Sequence, residues 1–353
     1  MADTLSTTTP RARRTSPGPR RASGPAARTL VPALFLAAGV LALATLLSVA
    51  VGTHYVPLPT VWNALLHPGT TYDDTVVQSR IPRTVLGLLV GAALAVSGVI
   101  VQGLTRNPLG DPGLLGVNVG AAAAIVTGLA FFGIGNGSTR ILLALPGALV
   151  AVVAVYALGS SRRGATPVKL VLAGAVISAV LSAYIQAVTL THPAAFNSYR
   201  FWVLGSLAGR DPGVILEVLP YLVAGFLLTL TLPGSLNALA LGDDTATALG
   251  AKIGRTRIIG GLAAALLCAG STAAVGPIAF IGLAVPHIIR SFAGGDHRWL
   301  LPFSALLGPA LLLLADVIGR VVASPQELEV GVVTAFLGAP VLLWAVRRMR
   351  GRE

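Results

Sequence analysis

Few side chains in this sequence could do chemistry, and most stand where long apolar runs are broken. Arg106 and Asp111 occupy a Gly/Pro/Asn turn inside Val96–Gly120, VSGVIVQGLTRNPLGDPGLLGVNVG. His287 follows Pro286 within AVGPIAFIGLAVPHIIR, Ala274–Arg290, and a histidine there could ligate a metal or carry a proton. A ligand set needs companions at short spacing, yet Asp296 and His297 fall only in the next loop. His287 is therefore read as a structural histidine at a membrane face, and no metal site is expected. Glu217 comes just after Asp211-Pro212-Gly213, in the first turn of an apolar segment, where a carboxylate suits a helix N-terminus. Asp316 precedes Arg320 by one helical turn, so the two can pair along one face. Cys268 is the one cysteine; it supports neither a disulfide framework nor a thiolate cluster and reads as a packing residue. The sequence has no GxxxxGK[ST], GxSxG or HExxH pattern and no acid pair facing a cleft. No catalytic residue is expected, and any energised process must draw on another polypeptide.

The elements that position these residues are membrane helices. The chain is 54% hydrophobic and 11% charged, with mean hydropathy +0.81, which excludes an ordinary soluble domain. A spanning helix takes roughly 20 apolar residues, and about ten such runs can be laid down. They are Leu30–Val51, Thr84–Leu104, Leu114–Phe132, Ile141–Gly159, Val168–Leu190, Val214–Leu232, Arg257–Val275, Phe280–Ile289, Leu300–Val322 and Val330–Val346. The eighth is too short for a straight span and predicts a broken or re-entrant element. Non-helical backbone at membrane depth persists only where protein buries it or a watery cavity bathes it. The fold class expected is an all-α polytopic membrane protein with a pathway through it.

The net charge of +12 is a matter of topology rather than nucleic-acid binding. Arg11, Arg13, Arg14, Arg20, Arg21 and Arg28 precede the first run, and Arg162, Arg163 and Lys169 flank the loop after the fourth. Lys252, Arg255 and Arg257 open the seventh, and Arg347, Arg348, Arg350 and Arg352 follow the tenth. All fall on one side if the chain alternates, so the positive-inside rule puts both termini in the cytoplasm. Residues 1–28 read as a disordered basic tail, 29–350 as one transmembrane domain and 351–353 as the end of a cytoplasmic tail. The arginine pairs could mimic a secretory or twin-arginine signal, but the apolar run is too long for a signal core and lacks a clear small-residue cleavage site.

Small residues recur at four-residue spacing in Gly87/Gly91, Gly116/Gly120, Ser178/Ser182 and Ala335/Ala339. Such pairs allow close helix packing or a smooth conduit wall. In the fifth run, Gly174, Ser178, Ser182 and Gln186 form one mildly polar stripe suited to a translocation pathway. A midplane Asp, Glu, Lys or Arg, expected of an ion-coupled transporter, is not found. The loop 236–257, LNALALGDDTATALGAKIGRTR, can hold a short helix capped by Asp243 or Asp244 and ended by Gly250. It would present Ala246, Ala248 and Leu249 to a cleft in another protein.

Together these segments resemble the permeases of the ABC importers for iron–siderophore complexes, haem and cobalamin, the FecCD-like type II group. The likeness runs from about Leu30 to Arg347. It rests on Arg80-Ile81-Pro82-Arg83, GAALAVSGVIVQGLTRNPLGDPGLLGVNVGA with Asn107-Pro108, Trp202-Val203-Leu204-Gly205-Ser206 and LGDDTATALG. GPIAFIGLAVPHIIR (with Gly276-Pro277 and Pro286-His287), GGDHRWLLP and ADVIGR…ELEVGVVTAFLGAP complete the ordered set. The resemblance implies a ten-span subunit of the bacterial cell membrane that pairs with a second copy or homologue. It implies two cytoplasmic ATPase subunits, which would hold ATP and Mg, and an extracytoplasmic binding protein; this chain binds no cofactor. Leu241, Gly242, Asp243, Asp244, Ala248, Leu249 and Gly250 would form the element that seats in the ATPase. Arg80, Arg83 and Arg320 would meet acidic residues of the binding protein, with an Asp316–Arg320 helix pair as the alternative for Arg320.

The sequence departs from the family at Glu329, where proline is usual, at Gly110, where alanine is common, and at Val341-Leu342-Leu343, which lacks a frequent phenylalanine. The function expected is ATP-driven import of a metal chelate by alternating access of a permease dimer. Ferric siderophores come first as cargo on base rates; cobalamin and haem stay open, and an ion-coupled secondary transporter or a membrane scaffold are the rivals.

Overall fold

The computed structural model describes residues 27–67, 69–134, 139–161, 164–165 and 167–350. The basic tail before Ala27, Arg162, Arg163 and residues 351–353 lie outside the described residues. The helices are α1 (Ala27–Ala50), α2 (Leu58–Leu66), α3 (Tyr72–Thr105), α4 (Val117–Phe131), α5 (Thr139–Gly159), α6 (Pro167–Thr191) and α7 (Pro193–Trp202). They continue with α8 (Gly213–Leu230), α9 (Pro233–Ala240), α10 (Asp243–Ala248), α11 (Ile253–Val275), α12 (Ile281–Ala293), α13 (His297–Val322) and α14 (Val330–Arg350). Among the described residues, extended pairing is confined to Ser160–Ser161 (β1) against Gly164–Ala165 (β2). Seven helices, α1, α3, α5, α6, α8, α11 and α13, are long and apolar enough to cross a membrane; α4, α12 and the apolar part of α14 are shorter. Each of the ten runs expected to be membranous falls on one of these ten helices.

The bundle is built around α3. It starts at Tyr72 rather than Thr84, because Thr71 and Asp74 close a capping box: the Asp74 amide donates to Thr71 Oγ1 at 3.3 Å and the Thr71 amide to Asp74 Oδ2 at 3.2 Å. Its 34 residues span roughly 50 Å, well beyond a hydrocarbon core of ~30 Å. It ends at Arg106, which adopts φ 51°, because Pro108 disfavours helical backbone at Asn107. Asn107 then takes the Leu109 amide on its own side-chain oxygen at 3.0 Å.

Every residue of α3 from Val90 to Leu104 is buried except Ala92, and the small ones set its distance from its neighbours. Gly91 lies on the backbone of Pro309 in α13, and Gly98 on the Gly282 carbonyl of α12. The other small-residue pairs divide. Gly120 packs on Gly147 of α5, whereas Gly116, at φ 77°, serves the turn that starts α4. Ala339 is exposed, and the tight residues of α14 include Gly331, on the Leu204 carbonyl, and Gly338, which abuts Phe280.

Both expected breaks are present. Asp111 caps a single 3-10 turn, Pro112–Leu115, by accepting from the Gly113 amide at 2.8 Å; α4 follows with only 15 residues. Gly276–Phe280 is non-helical before the 13-residue α12, with Gly276 at φ 84° and Phe280 at φ 70°. The Ser206 amide donates to the Val275 carbonyl at 2.7 Å, which pins the WVLGS turn onto that gap.

Candidate functional site

At one end of the bundle a group of arginines gathers where α1, α3 and α13 meet. Arg80 donates to the carbonyls of Val49, Ala50 and His54 at 2.9, 3.1 and 2.6 Å. Arg320 donates to the Ser48 carbonyl at 2.9 Å and lies 3.1 Å from Asp316. Two guanidinium groups thus hold the last carbonyls of α1, where a helix leaves acceptors unfilled and favours positive charge. Arg83 grips Asp316 in a forked pair, Nε to Oδ2 at 2.9 Å and Nη2 to Oδ1 at 2.8 Å, and reaches Glu327 at 2.7 Å.

The three arginines expected to meet a binding protein are held within this end of the bundle. Arg320 is 1% exposed, Arg80 is buried and Arg83 nearly so. The reason is the early start of α3, which sets Arg80 and Arg83 against neighbouring helices instead of at a helix mouth. The helix pair Asp316–Arg320 forms as its spacing predicts.

What this end offers to solvent is a cavity of about 500 Å³ lined by Arg80, Arg83, Arg210, Arg320, His54 and Glu327, among others. Sequence reasoning missed Arg210 and Glu327. Arg210 donates to the Ser206 carbonyl at 3.0 Å, and burial lowers its pKa from the ordinary value, with Glu329 pulling the other way. Glu329, the departure from the family's proline, therefore places negative charge near Arg210. Four guanidiniums against Glu327 give the cavity lining an excess of positive charge.

The opposite end carries α9 and α10. Neither Asp243 nor Asp244 caps α10: the N-cap is Gly242, at φ 104°, with no side-chain bond, and the two acids are its first two residues. Asp243 is instead held from both sides. Arg106, at the end of α3, pairs with it, and Arg257 of α11 donates to Asp243 Oδ2 at 3.0 Å. Gly250 does end the helix, at φ 81°, with its amide on the Thr247 carbonyl and the Ala251 amide on the Ala246 carbonyl, both at 2.9 Å. That is the double bond of a Schellman ending. Ala246 is buried rather than presented, while Leu241 and Leu249 are 62% and 65% exposed and Ala248 is exposed beside them. The GGDHRWLLP stretch anchors α9: Asn237 donates to Asp296 at 2.6 Å and accepts from the His297 amide at 2.9 Å.

The mildly polar stripe of α6 grades from buried to exposed along the helix. Gly174 lies against the Leu114 carbonyl, Ser178 and Ser182 are half-buried and Gln186 is exposed. Gly276 packs on the Trp202 carbonyl, Pro286 is buried within α12 and His287 is half-buried. Glu217 is the fifth residue of α8 rather than in its first turn, because the helix begins at Gly213; its Oε2 is buried without a hydrogen-bond partner. Cys268 is buried in α11 near Asn118, which accepts from Thr272 at 2.8 Å. Among the described residues no group of three His, Cys, Asp or Glu side chains is placed to hold a metal ion.

The chain is similar to known proteins in sequence and in fold. The chain is 49% identical over 321 residues to the ferric enterobactin transport system permease protein FepD of Escherichia coli, covering 90% of this chain and 95% of that one. It is 40% identical over 300 residues to the Fe(3+) dicitrate permease FecD of Escherichia coli, covering 84% and 93%. It is 38% identical over 328 residues to the iron(3+)-hydroxamate import permease FhuB of Bacillus subtilis, covering 92% and 85%. The fold superposes on a metal-chelate type ABC transporter in an inward-facing conformation with TM-score 0.77 at 27% identity, over 90% of this chain and 99% of that one. Residues 40–348 match the FecCD transport family, and the chain belongs to that family of membrane permeases.

Proposed function

We propose that this chain is the permease subunit of an ATP-driven importer of ferric siderophores. The observation that carries the reading is α10: a six-residue helix flanked by exposed Leu241 and Leu249, held by Asp243 to both α3 and α11. An apolar knob on a braced helix suits insertion into a cleft of an ATPase subunit, and α3 joins that knob to the arginine-lined cavity at the other end. The chain itself supplies no catalytic group. ATP and Mg belong to two ATPase subunits, and a second permease, identical or homologous, completes the pathway along α6.

Ferric chelate cargo follows from the relatives named above, which carry enterobactin, dicitrate and hydroxamate complexes of iron in their names. The basic loops put the Asp243 end and both termini in the cytoplasm, in a bacterial inner membrane, with the cavity facing outward. Arg80, Arg83 and Arg320 then act in docking through that cavity: a carboxylate of the extracytoplasmic binding protein enters it and is steered by the summed charge.

The test is uptake of radiolabelled ferric catecholate, ferric hydroxamate, ferric citrate, haem and cobalamin in cells with and without the gene, and with L249D. Loss of one ferric chelate in both strains supports the reading. Loss of cobalamin or haem alone replaces the cargo. Uptake that survives depletion of ATP but not a protonophore replaces the energy source.

A further inference from the structure

The function proposed above leaves unused the largest apolar groove among those described. It lies between α5 and α11 and encloses about 890 Å³. Val152, Val153 and Tyr156 form one wall, and Gly254, Ile258 and Leu262 the other. Two glycines shape it. A side chain at Gly254 would meet no atom within 4 Å, so the groove is open there, and the bare backbone of Gly261 lets the Tyr156 hydroxyl lie against α11. From Gly254 to Ala265 the groove runs roughly 17 Å, about half of a hydrocarbon core of ~30 Å, which is the depth of one leaflet.

Its ends differ in chemistry. The deep end is wholly aliphatic, whereas the end at the start of α11 carries Arg257 and Asp243 in the lining, and Lys252, the N-cap of α11, and Arg255 in its first turn are exposed. Arg257 is engaged with Asp243, but Lys252 and Arg255 take part in no ion pair among the described residues. In a bilayer a hydrocarbon groove by itself selects nothing, because lipid tails are as apolar as its walls. The cations at its mouth do select, and basic pockets between membrane helices hold anionic headgroups.

We propose that this groove is a binding site for an acidic glycerophospholipid, one acyl chain lying between α5 and α11 and the phosphate held by Lys252, Arg255 and the edge of Arg257. The site borders Asp243, so a bound lipid packs beside the brace that holds α10. It does not depend on which cargo the permease carries, or on whether α10 meets an ATPase.

The full chain is reconstituted in phosphatidylcholine vesicles holding a trace of phosphatidylglycerol with a diazirine on its acyl chain. Photolabelled peptides are then mapped by mass spectrometry. The expected result is labelling of residues 149–157 and 253–265 that falls at least fivefold in I258W and at least threefold in K252Q/R255Q. Unlabelled phosphatidylglycerol should compete, and excess phosphatidylcholine should not. Each variant is compared only if it elutes as one species and melts near wild type; V153W, on the opposite wall, serves if I258W does not. Competition by phosphatidylcholine equal to that by phosphatidylglycerol, or labelling unchanged in the filled-groove variant, overturns the proposal. So does disulfide cross-linking of V153C between two copies of the chain, which would put protein in the groove.

Discussion

Arg83 of α3 and Asp316 of α13 are joined by a forked ion pair, with Nε 2.9 Å from Oδ2 and Nη2 2.8 Å from Oδ1. Asp316, 1% exposed, also faces Arg320 at 3.1 Å, so one buried carboxylate serves two guanidiniums, and Glu327 shares Arg83. Replacing a buried partner leaves uncompensated charge and costs about 3–5 kcal/mol. D316N should therefore lower the melting temperature of the purified chain sharply, and R83K, which keeps charge but loses the fork, should lower it less. Equal melting of D316N and wild type would show the pair to be dispensable.

The brace at α10 predicts a rescue. D243A should cut iron-chelate uptake several-fold while leaving membrane abundance near wild type, since exposed pairs contribute only about 0–1 kcal/mol to stability. Reversing the pair with Arg257, in D243R/R257D, should recover part of the uptake lost in D243R alone. Double-mutant comparison isolates that term, and absence of any recovery would mean that Asp243 acts without Arg257.

Leu249 and Gly250 separate contact from shape. L249A should weaken ATPase co-purification without changing the melting temperature, because the side chain is exposed. G250V places a β-branched residue at φ 81°, a conformation costing of order 1–3 kcal/mol, and should loosen the end of α10. Amide exchange over residues 243–251 should rise in G250V and stay unchanged in L249A.

The close approach of α3 to α12 predicts a failure of assembly. A methyl at Gly98 would occupy the Gly282 carbonyl, and backbone cannot step aside as a side chain can. Overpacking of this kind costs about 1–3 kcal/mol or more. G98A should lower the yield of folded chain, whereas an alanine at Gly39, which meets nothing within 4 Å, should not.

The arginine-lined cavity predicts a salt effect. Removing negative charge near Arg83 and Arg210 in E327Q/E329Q should raise the affinity for an acidic binding-protein surface and steepen its dependence on ionic strength. Binding to vesicle-reconstituted permease at two salt concentrations measures both.

Several features were legible from residue order. Among the described residues, the apolar runs located the seven helices long enough to cross a membrane and the three shorter apolar ones, because hydrocarbon burial demands length and composition that local sequence must supply. Both breaks, at Asn107-Pro108 and at Gly276-Pro277, were legible because proline and glycine act on the backbone within a residue or two. The ending of α10 at Gly250 and the Asp316–Arg320 pair were equally local.

The tertiary structure decided everything that depends on which helix faces which. Asp243 looked like a cap, yet its partners are Arg106 and Arg257, brought to it by the meeting of α3 and α11. Residue order gave no sign that Arg80 and Arg320 hold the carbonyl end of α1. Arg210 and Glu327 carried no sequence signal, since an ion-lined cavity is made of residues far apart in the chain. Composition and period act over a few residues and set which segments are helices. Charge pairing and close backbone contact act through space, so they appear only once α1, α3, α11 and α13 have packed.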